Sequence, residues 1–215
     1  MPFYLGAAAR RVFALPRLNP TRPTLVLDID ETILHRPNPL DQISLYAWRA
    51  HVGVPYPHAL SSLRELQGSF DIVALTARFM LAEANTEAWF QHYGLGHIPI
   101  IYAKGIHPLD HTRVAFKASA TQYLHSIQWR PVMGVGDRPS DLAAYLQTGL
   151  HAAIVRHDLV GLSPPQLAQT HLSMMRKAGV EEGKGKLDQT SFFAPRSDLE
   201  VWDAVKKHAL GLFAK

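Results

Sequence analysis

Two acidic residues, Asp28 and Asp30, directly follow a short apolar run and have a spacing that suits chemistry at phosphorus. In an extended chain, side chains two positions apart lie on the same side, so both carboxylates can face one pocket. A carboxylate is a competent nucleophile at phosphorus, and a second carboxyl group can protonate the leaving oxygen and then take a proton from water. Two crowded carboxylates repel each other, and Mg2+, which prefers oxygen ligands, relieves that repulsion. The alternative is an acidic turn after a strand.

A second polar group begins at Thr76, after the apolar run that ends at Leu75. We expect Thr76 and Ala77 to open a helix. A hydroxyl and free N–H groups at a helix start bind a phosphate oxygen well, so the two residues would then form a phosphate site. A threonine that only caps a helix has the same sequence. Two interpretations of Arg78 stay open: it pairs with a substrate phosphate, or it lies on the surface.

A third acidic pair, Asp137 and Asp141, follows another apolar run. We expect Asp137 to end a strand and Asp141 to lie near the first turn of the next helix, so that both carboxylates reach a cation held by Asp28. A purely structural interpretation is also available, since aspartate is a common helix cap and the helix dipole favours acidic residues in the first turn.

Five apolar runs alternate with helix-like stretches between residues 24 and 156. Runs that are apolar on both faces are typical of buried parallel strands, and their alternation with helices predicts an α/β fold with a Rossmann-like, doubly wound parallel sheet. Ligands bind beyond the carboxyl ends of such strands, where Asp28, Thr76, Lys104 and Asp137 fall. The predicted strands are 25–27, 70–75, 98–102, 131–136 and 151–155, and the predicted helices between them are 57–67, 79–93, 112–127 and 140–147.

The flanking segments differ in pattern from this core, which we place at residues 24–160. Residues 1–23 are expected to be a lead-in segment that packs Phe3 and Phe13 on the core, with a short interfacial helix at residues 7–15 as the alternative. Residues 33–68 contain a flap or small cap, with a short helix over 40–52. Residues 161–215 form a helical extension, with helices predicted over 163–176 and 198–213 and a glycine-rich loop over 179–186. That extension covers the sheet, clamps the site or binds a partner.

Composition limits the class of protein. The chain has 215 residues, 47% of them apolar, which suits one compact domain with a small appendage. The sequence has no uninterrupted apolar run near the roughly 20 residues that a membrane span needs. The absence of cysteine excludes disulfides and zinc–thiolate sites. Arg10 and Arg11 follow the apolar start, which reverses the order of a secretory signal, so we expect a cytoplasmic protein. The net charge of +4 mildly favours anionic partners.

Three of these segments together resemble the haloacid dehalogenase (HAD) superfamily of phosphatases. Residues 28–32, DIDET, are similar to its first motif, Asp-x-Asp-x-Thr, and residues 75–78, LTAR, to its second. Residues 136–141, GDRPSD, are similar to its fourth, Gly-Asp-x-x-x-Asp. The resemblance covers roughly residues 24–156. It implies a Rossmann-like sheet and Mg2+-dependent phosphoryl transfer through an aspartyl-phosphate.

The resemblance also implies a role for each matching residue. Asp28 would be the nucleophile, and Asp30 the general acid and base whose main-chain carbonyl also binds the metal. Thr76 would bind phosphate, Asp137 would bind Mg2+, and Asp141 would support the metal site. The family further needs a lysine that neutralises the phosphate. Lys117 has the usual placement, one helix and one strand before the metal motif, while Lys104 is the rival and a surface lysine is the plain alternative for each.

Substrate class depends on what covers the pocket. The segment between Thr32 and Thr76 is too short for a large cap domain, and an open pocket suits bulky substrates. His35 is the histidine best placed to contact substrate. Residues 136–149, and the spacing from Asp28 to Thr76, resemble lipin-type phosphatidate phosphatases. We therefore expect a phosphorylated small molecule or lipid as substrate.

Two other functions stay open at this point. One is a lipid-surface module that recognises phosphatidate-like headgroups without hydrolysing them, although a pure binder has no use for both Asp28 and Asp30. The other is binding of nucleic acid or action on it. The sequence has no basic stripe interleaved with aromatic residues to support that function. Stable membrane insertion is not expected. The oligomeric state stays open.

Overall fold

A computed structural model describes residues 2–15, 19–35, 53–105, 109–159, 161–179, 189–194 and 201–213. The described strands are β1 Phe3–Leu5, β2 Pro23–Leu27, β3 Leu34–His35, β4 Val54–Pro55, β5 Asp71–Phe79, β6 Ile100–Ala103, β7 Arg130–Gly136, β8 His151–Val155 and β9 Thr190–Phe193. The described helices are α1 Ala7–Phe13, α2 Ala59–Leu66, α3 Glu83–His92, α4 Asp110–Ser126, α5 Pro139–Gln147, α6 Pro164–Lys177 and α7 Val201–Phe213.

Seven of these strands form one sheet in the order β1-β6-β5-β2-β7-β8-β9. All neighbours from β6 to β9 are parallel, and β1 is antiparallel at the edge. The chain runs outward from β2 through β5 to β6 on one side, then returns to β7 and runs outward on the other. The predicted doubly wound α/β fold is therefore confirmed. The direction of winding reverses between β2 and β7, and ligands bind at such a switch point in open α/β sheets.

Helices cover both faces of the sheet because its strands are apolar on both faces. Leu25 and Leu27 of β2 point to one hydrophobic cluster, which α2, α3 and α7 complete with residues such as Trp202. Val26 points to the opposite cluster, completed by α4, α5 and α6 with residues such as Phe116. This period of two is what buries a parallel sheet between two helical layers.

Both flanking segments contribute to the sheet. Phe3 of β1 is buried in the same cluster that Phe13 of α1 packs against. At the other edge, β9 pairs with β8. Trp202 of α7 is fully buried, and its Nε1–H donates a 3.1 Å hydrogen bond to the main-chain carbonyl of Thr32. The terminal helix thus covers the sheet and supports the loop that follows β2.

One predicted helix start is wrong. Strand β5 continues through Thr76 to Phe79, a single 3-10 turn spans Met80–Ala82, and α3 begins only at Glu83. Thr76 still pairs with β6, and the register shifts between Thr76 and Phe79. Burial of the Arg78 side chain against Asp30 accompanies this extended backbone. Thr76 and Ala77 therefore lie in a strand and not at a helix N-terminus.

The segment after β2 forms a small antiparallel flap. In it, Leu34 pairs with Pro55 and His35 with Val54. The helix predicted over residues 40–52 lies outside the described residues, and so does the loop predicted over 179–186 except for its first residue, Gly179. Among the helices that the structure describes, none is long and apolar enough to cross a bilayer.

A cluster of two histidines and a serine at the start of β8 predicts that the stability of the protein depends on pH. His151 Nε2 lies 3.0 Å from Ser191 Oγ, which lies 2.8 Å from His208 Nε2. Burial and the neighbouring His208 lower the pKa of His151 to about 4, and burial lowers the pKa of His208. The unfolded chain therefore binds protons more tightly, so the stability that these groups contribute is present above about pH 6.5 and is lost as the pH falls toward 4.

Urea unfolding at several pH values checks this expectation. His151→Gln removes one titrating group, so its free energy of unfolding should fall less steeply than that of the parent protein between about pH 7 and pH 5. His125→Gln, at an exposed position on α4, is the matched control and should keep the parent slope. Equal slopes for the parent and His151→Gln would show that the cluster is not the source.

Candidate active site

Asp28 is the first residue beyond β2 and lies at the switch point of the sheet. Its N–H donates a 2.8 Å hydrogen bond to the carbonyl of Val135 in β7, which continues the parallel ladder by one residue. Its side chain is nearly buried, and Thr32 Oγ1 donates to its Oδ2 over 3.3 Å. The carboxylate is thus held in one orientation at the carboxyl edge of the sheet.

Asp137 and Asp141 reach the same place from β7 and α5. Asp141 Oδ2 accepts hydrogen bonds from the N–H groups of Asp137 and Arg138, at 3.1 and 3.0 Å. This close return of Asp141 requires glycine at position 136, because a Cβ there would lie 2.5 Å from Asp141 Oδ2. Asp141 thus lies in the first turn of α5, where the helix dipole favours an acidic residue, whereas the N-cap is Arg138 and not Asp137. Asp141 also lies beside the other two carboxylates.

Three carboxylates converge at this point. One oxygen from each of Asp28, Asp137 and Asp141 lies within 4.8 Å of the others. Within the described part of the chain, Asp137 Oδ1 is buried and has no hydrogen-bond partner. An oxygen-rich, negatively charged group with an unsatisfied buried acceptor is the donor set that Mg2+ binds in proteins. The residues present therefore fit a hard divalent cation.

Lys117 supplies the positive charge of the cluster. Its side chain comes from α4 and is buried, and Nζ donates to Asp28 Oδ1 over 2.5 Å and also to Asp141 Oδ1. Lys104, the alternative considered from the sequence, is exposed beyond the end of β6. Of the two lysines, the tertiary structure places only Lys117 at the acidic cluster.

Three crowded carboxylates beside a single ammonium group make full ionisation of the cluster unfavourable. Burial raises the pKa of Asp28 to about 6, against the opposing effect of Lys117. Burial, followed by the charges of Asp141 and Asp28, raises the pKa of Asp137 well above its ordinary value. Burial lowers the pKa of Lys117, but Asp141 and Asp28 outweigh it and raise that pKa well above the usual range. One ammonium does not neutralise three carboxylates, so the site favours a further cation.

Asp30 lies beside the cluster, but its carboxylate is held by Arg78. Arg78 Nη2 donates to Asp30 Oδ1 over 2.7 Å, and Nε donates to Oδ2 over 3.0 Å. The Asp30 charge contributes to the raised pKa of Asp28, so the two carboxylates act on the same region. Arg78 is buried, so its interpretation as a surface residue is wrong. Its partnership with Asp30 was not predicted from the sequence.

Thr76 is buried in β5. Its Oγ1 accepts a 3.1 Å hydrogen bond from the N–H of Arg78. Ala77 is half-buried beside it. A hydroxyl that accepts from the backbone keeps its O–H as a donor, so Thr76 can bind an anion without the helix N-terminus that the sequence predicted.

Four side chains on and near the flap form a second group, and of these only His35 was singled out from the sequence. Tyr56 of the flap donates a 2.7 Å hydrogen bond to Glu31 Oε2, and His35 Nδ1 lies 3.2 Å from the same oxygen. The Tyr56 ring stacks on His157, with centroids 3.4 Å apart and an interplanar angle of 7°. The contact of His35 with substrate stays a prediction, and Tyr56 and His157 come from distant segments that only the fold brings together.

Comparisons with known proteins bear on the fold. No protein-family model matches the sequence, and no curated protein matches it. The structure is similar to that of an uncharacterised protein from Listeria monocytogenes serotype 4b, with a TM-score of 0.52, 16% identity, and coverage of 86% of this chain and 99% of that chain. It is also similar to the haloacid dehalogenase-like hydrolase SP0104 from Streptococcus pneumoniae, with a TM-score of 0.49, 14% identity, and coverage of 85% and 97%.

A third similar structure is a candidate β-phosphoglucomutase from Thermotoga maritima, with a TM-score of 0.41, 12% identity, and coverage of 86% of this chain and 99% of that chain. With a TM-score of 0.52 and 16% identity, the Listeria monocytogenes structure shows a shared fold and does not assign an activity. None of these three proteins supports the narrower likeness to lipin-type phosphatidate phosphatases.

Proposed function

We propose that the protein is a Mg2+-dependent phosphatase of the HAD type that hydrolyses a phosphate monoester through an aspartyl-phosphate. The observation that carries the proposal is the convergence of Asp28, Asp137 and Asp141 within 4.8 Å, with Lys117 bound to the first of them. Phosphoryl transfer asks a protein mainly for positioning and charge neutralisation. These four residues provide both at the switch point of the sheet.

The metal would be held by the Asp28 and Asp137 carboxylates and by the main-chain carbonyl of Asp30. Asp141 would support the site from behind, since its oxygens already accept hydrogen bonds from Lys117 and from the backbone. Bound there, Mg2+ supplies positive charge that reduces the repulsion between Asp28 and the incoming phosphate. The buried, unpartnered Asp137 Oδ1 supports its assignment as a ligand.

The first step forms a bond between an Asp28 carboxylate oxygen and phosphorus and breaks the ester P–O bond. The leaving oxygen takes a proton from the Asp30 carboxyl group and departs as the free alcohol. Lys117 neutralises part of the charge on the phosphoryl oxygens. Thr76, with its O–H available as a donor, holds one of those oxygens.

The second step returns the enzyme to its starting state. The Asp30 carboxylate takes a proton from water while the water oxygen bonds to phosphorus. The P–O bond to Asp28 breaks, so that inorganic phosphate leaves and Asp28 is again a carboxylate. Asp30 is again protonated and ready for the next ester.

Hydrolysis of p-nitrophenyl phosphate by the purified protein, with Mg2+ or with a chelator, tests this function. We expect release of p-nitrophenol that requires Mg2+. A panel of phosphorylated metabolites and phosphatidate vesicles then identifies the ester class. Binding to phosphatidate vesicles without release of phosphate from any ester would overturn the proposal in favour of a lipid-recognition module.

Asp137→Ala tests the metal site separately from the nucleophile. Loss of a ligand should raise the Mg2+ concentration needed for half-maximal activity by at least about 10–100-fold, the range already found for lesser changes around metal sites. The measurement is a Mg2+ titration of the hydrolysis rate. Asp110→Ala is the matched control, because Asp110 is an exposed carboxylate at the start of α4. An unchanged Mg2+ requirement in Asp137→Ala would remove Asp137 from the ligands.

A further inference from the structure

Arg78 is buried and has a second hydrogen-bond partner besides Asp30. Its side chain is 3% exposed. Nη1 donates a 2.9 Å hydrogen bond to the buried Thr86 Oγ1 in α3, and the Arg78 main chain belongs to β5. The guanidinium plane is therefore anchored by a helix and a strand before it meets the carboxylate.

The contact with Asp30 uses the two-pronged geometry of an arginine–carboxylate pair. Nε lies 3.2 and 3.0 Å from the two Asp30 oxygens, and Nη2 lies 2.7 Å from Oδ1. Such a pair fixes the plane of the carboxylate as well as its position. Lysine cannot reproduce it, because an ammonium is a point charge on a flexible stem.

We propose that Arg78 is a positioning residue for Asp30 and sets the orientation in which that carboxyl group exchanges protons with the leaving oxygen and with water. The inference rests on the proposed function, in which Asp30 is the general acid and base. Arg78 acts through Asp30 and exchanges no proton, since the guanidinium stays charged throughout.

Burial and exposure of the two partners support this role. Arg78 is buried, whereas the Asp30 side chain keeps 27% of its surface exposed. A buried guanidinium is costly unless its partners satisfy it, and the Asp30 carboxylate accepts hydrogen bonds from both Nε and Nη2. The guanidinium is thus held inside the protein, while part of the Asp30 side chain stays exposed.

The leaving group of the substrate separates this role from a general structural one. A poor leaving group such as phenol needs a proton from the general acid when the ester bond breaks, whereas p-nitrophenol leaves readily as its anion. Phenyl phosphate and p-nitrophenyl phosphate are close in size, so they differ mainly in that requirement. A residue that positions Asp30 therefore matters for the first ester and much less for the second.

Arg78→Gln tests the proposal through kcat/KM, which reports cleavage of the ester. We expect a loss of about 100-fold with phenyl phosphate, the lower end of general acid effects, and at most about tenfold with p-nitrophenyl phosphate. Asp30→Asn should show the same split, and the double variant should be no worse than Asp30→Asn alone. Arg78→Lys should recover only part of the loss.

A second variant keeps the test decisive if Arg78→Gln does not fold. Thr86→Val removes only the hydrogen bond to Nη1. It should also lower kcat/KM more with phenyl phosphate than with p-nitrophenyl phosphate, but by a smaller factor than Arg78→Gln. Equal losses with both esters in the folded variants would overturn the proposal while leaving Asp28-dependent hydrolysis intact. Failure of the parent protein to hydrolyse either ester with Mg2+ would instead overturn the proposed function, and this inference with it.

Discussion

Asp28→Asn is expected to lose hydrolysis of p-nitrophenyl phosphate by about 10,000-fold or more, as removal of a nucleophile does in other enzymes. The amide has the shape of the carboxylate but does not attack phosphorus. It also keeps an oxygen that can accept from Thr32 or Lys117, the two side chains that now donate to Asp28. The measurement is the rate of product release at saturating Mg2+.

The fold of this variant should survive. Burial and the charges of Asp141 and Asp30 already act against an ionised Asp28, so a neutral side chain at that position removes a repulsion. We expect urea unfolding to remain cooperative, with a midpoint no lower than that of the parent. Asp110→Asn, an exposed aspartate, is the matched control and should retain full activity. Hydrolysis at the parent rate by Asp28→Asn would show that another residue is the nucleophile.

Lys117→Met is expected to be the most destabilising single change at the site and to abolish activity as well. The ammonium is buried and bridges Asp28 and Asp141. Removing one partner of a buried ion pair leaves uncompensated charge, which costs about 3–5 kcal/mol. Urea unfolding in the absence of Mg2+ measures that loss, and the phosphatase assay measures the loss of charge neutralisation on the phosphate.

Two further variants separate the role of Lys117 from a general effect of losing a lysine. Lys104→Met should have the stability and activity of the parent, because Lys104 is exposed. Combining Lys117→Met with Asp28→Asn should cost less stability than Lys117→Met alone, since the second change removes one of the two stranded carboxylates. Additive losses in the double variant would show that the two side chains do not interact in the folded protein.

The sheet was predictable because the apolar pattern that marks each strand lies within the strand itself. A strand buried on both faces must be apolar along its length, and a polar residue marks the point where it leaves the core. Those two rules correctly placed five strands of the sheet, β2, β5, β6, β7 and β8, and located Asp28 and Asp137 at the carboxyl ends of β2 and β7. The end of β5 was misjudged because Thr76 and Arg78 look like a helix start. Their strand conformation accompanies contacts with β6 and with Asp30 that are distant in sequence.

Side-chain partnerships across the site were not predictable in the same way. Arg78 meets Asp30 across 48 positions of the chain, and the Trp202 indole meets the carbonyl of Thr32 across 170. No spacing rule covers such pairs, because their separation depends on how the helices pack on the sheet. The choice between Lys117 and Lys104 is of the same kind, since either could lie near a strand end.

The sequence by itself determined the α/β architecture and the acidic residues that meet at its edge, because burial fixes the pattern of a strand and its end. Only the tertiary structure decided which lysine enters the acidic cluster, which side chain holds Asp30, and how the terminal helix supports the loop after β2. These contacts join residues from separate elements, and their geometry follows from packing of the whole chain.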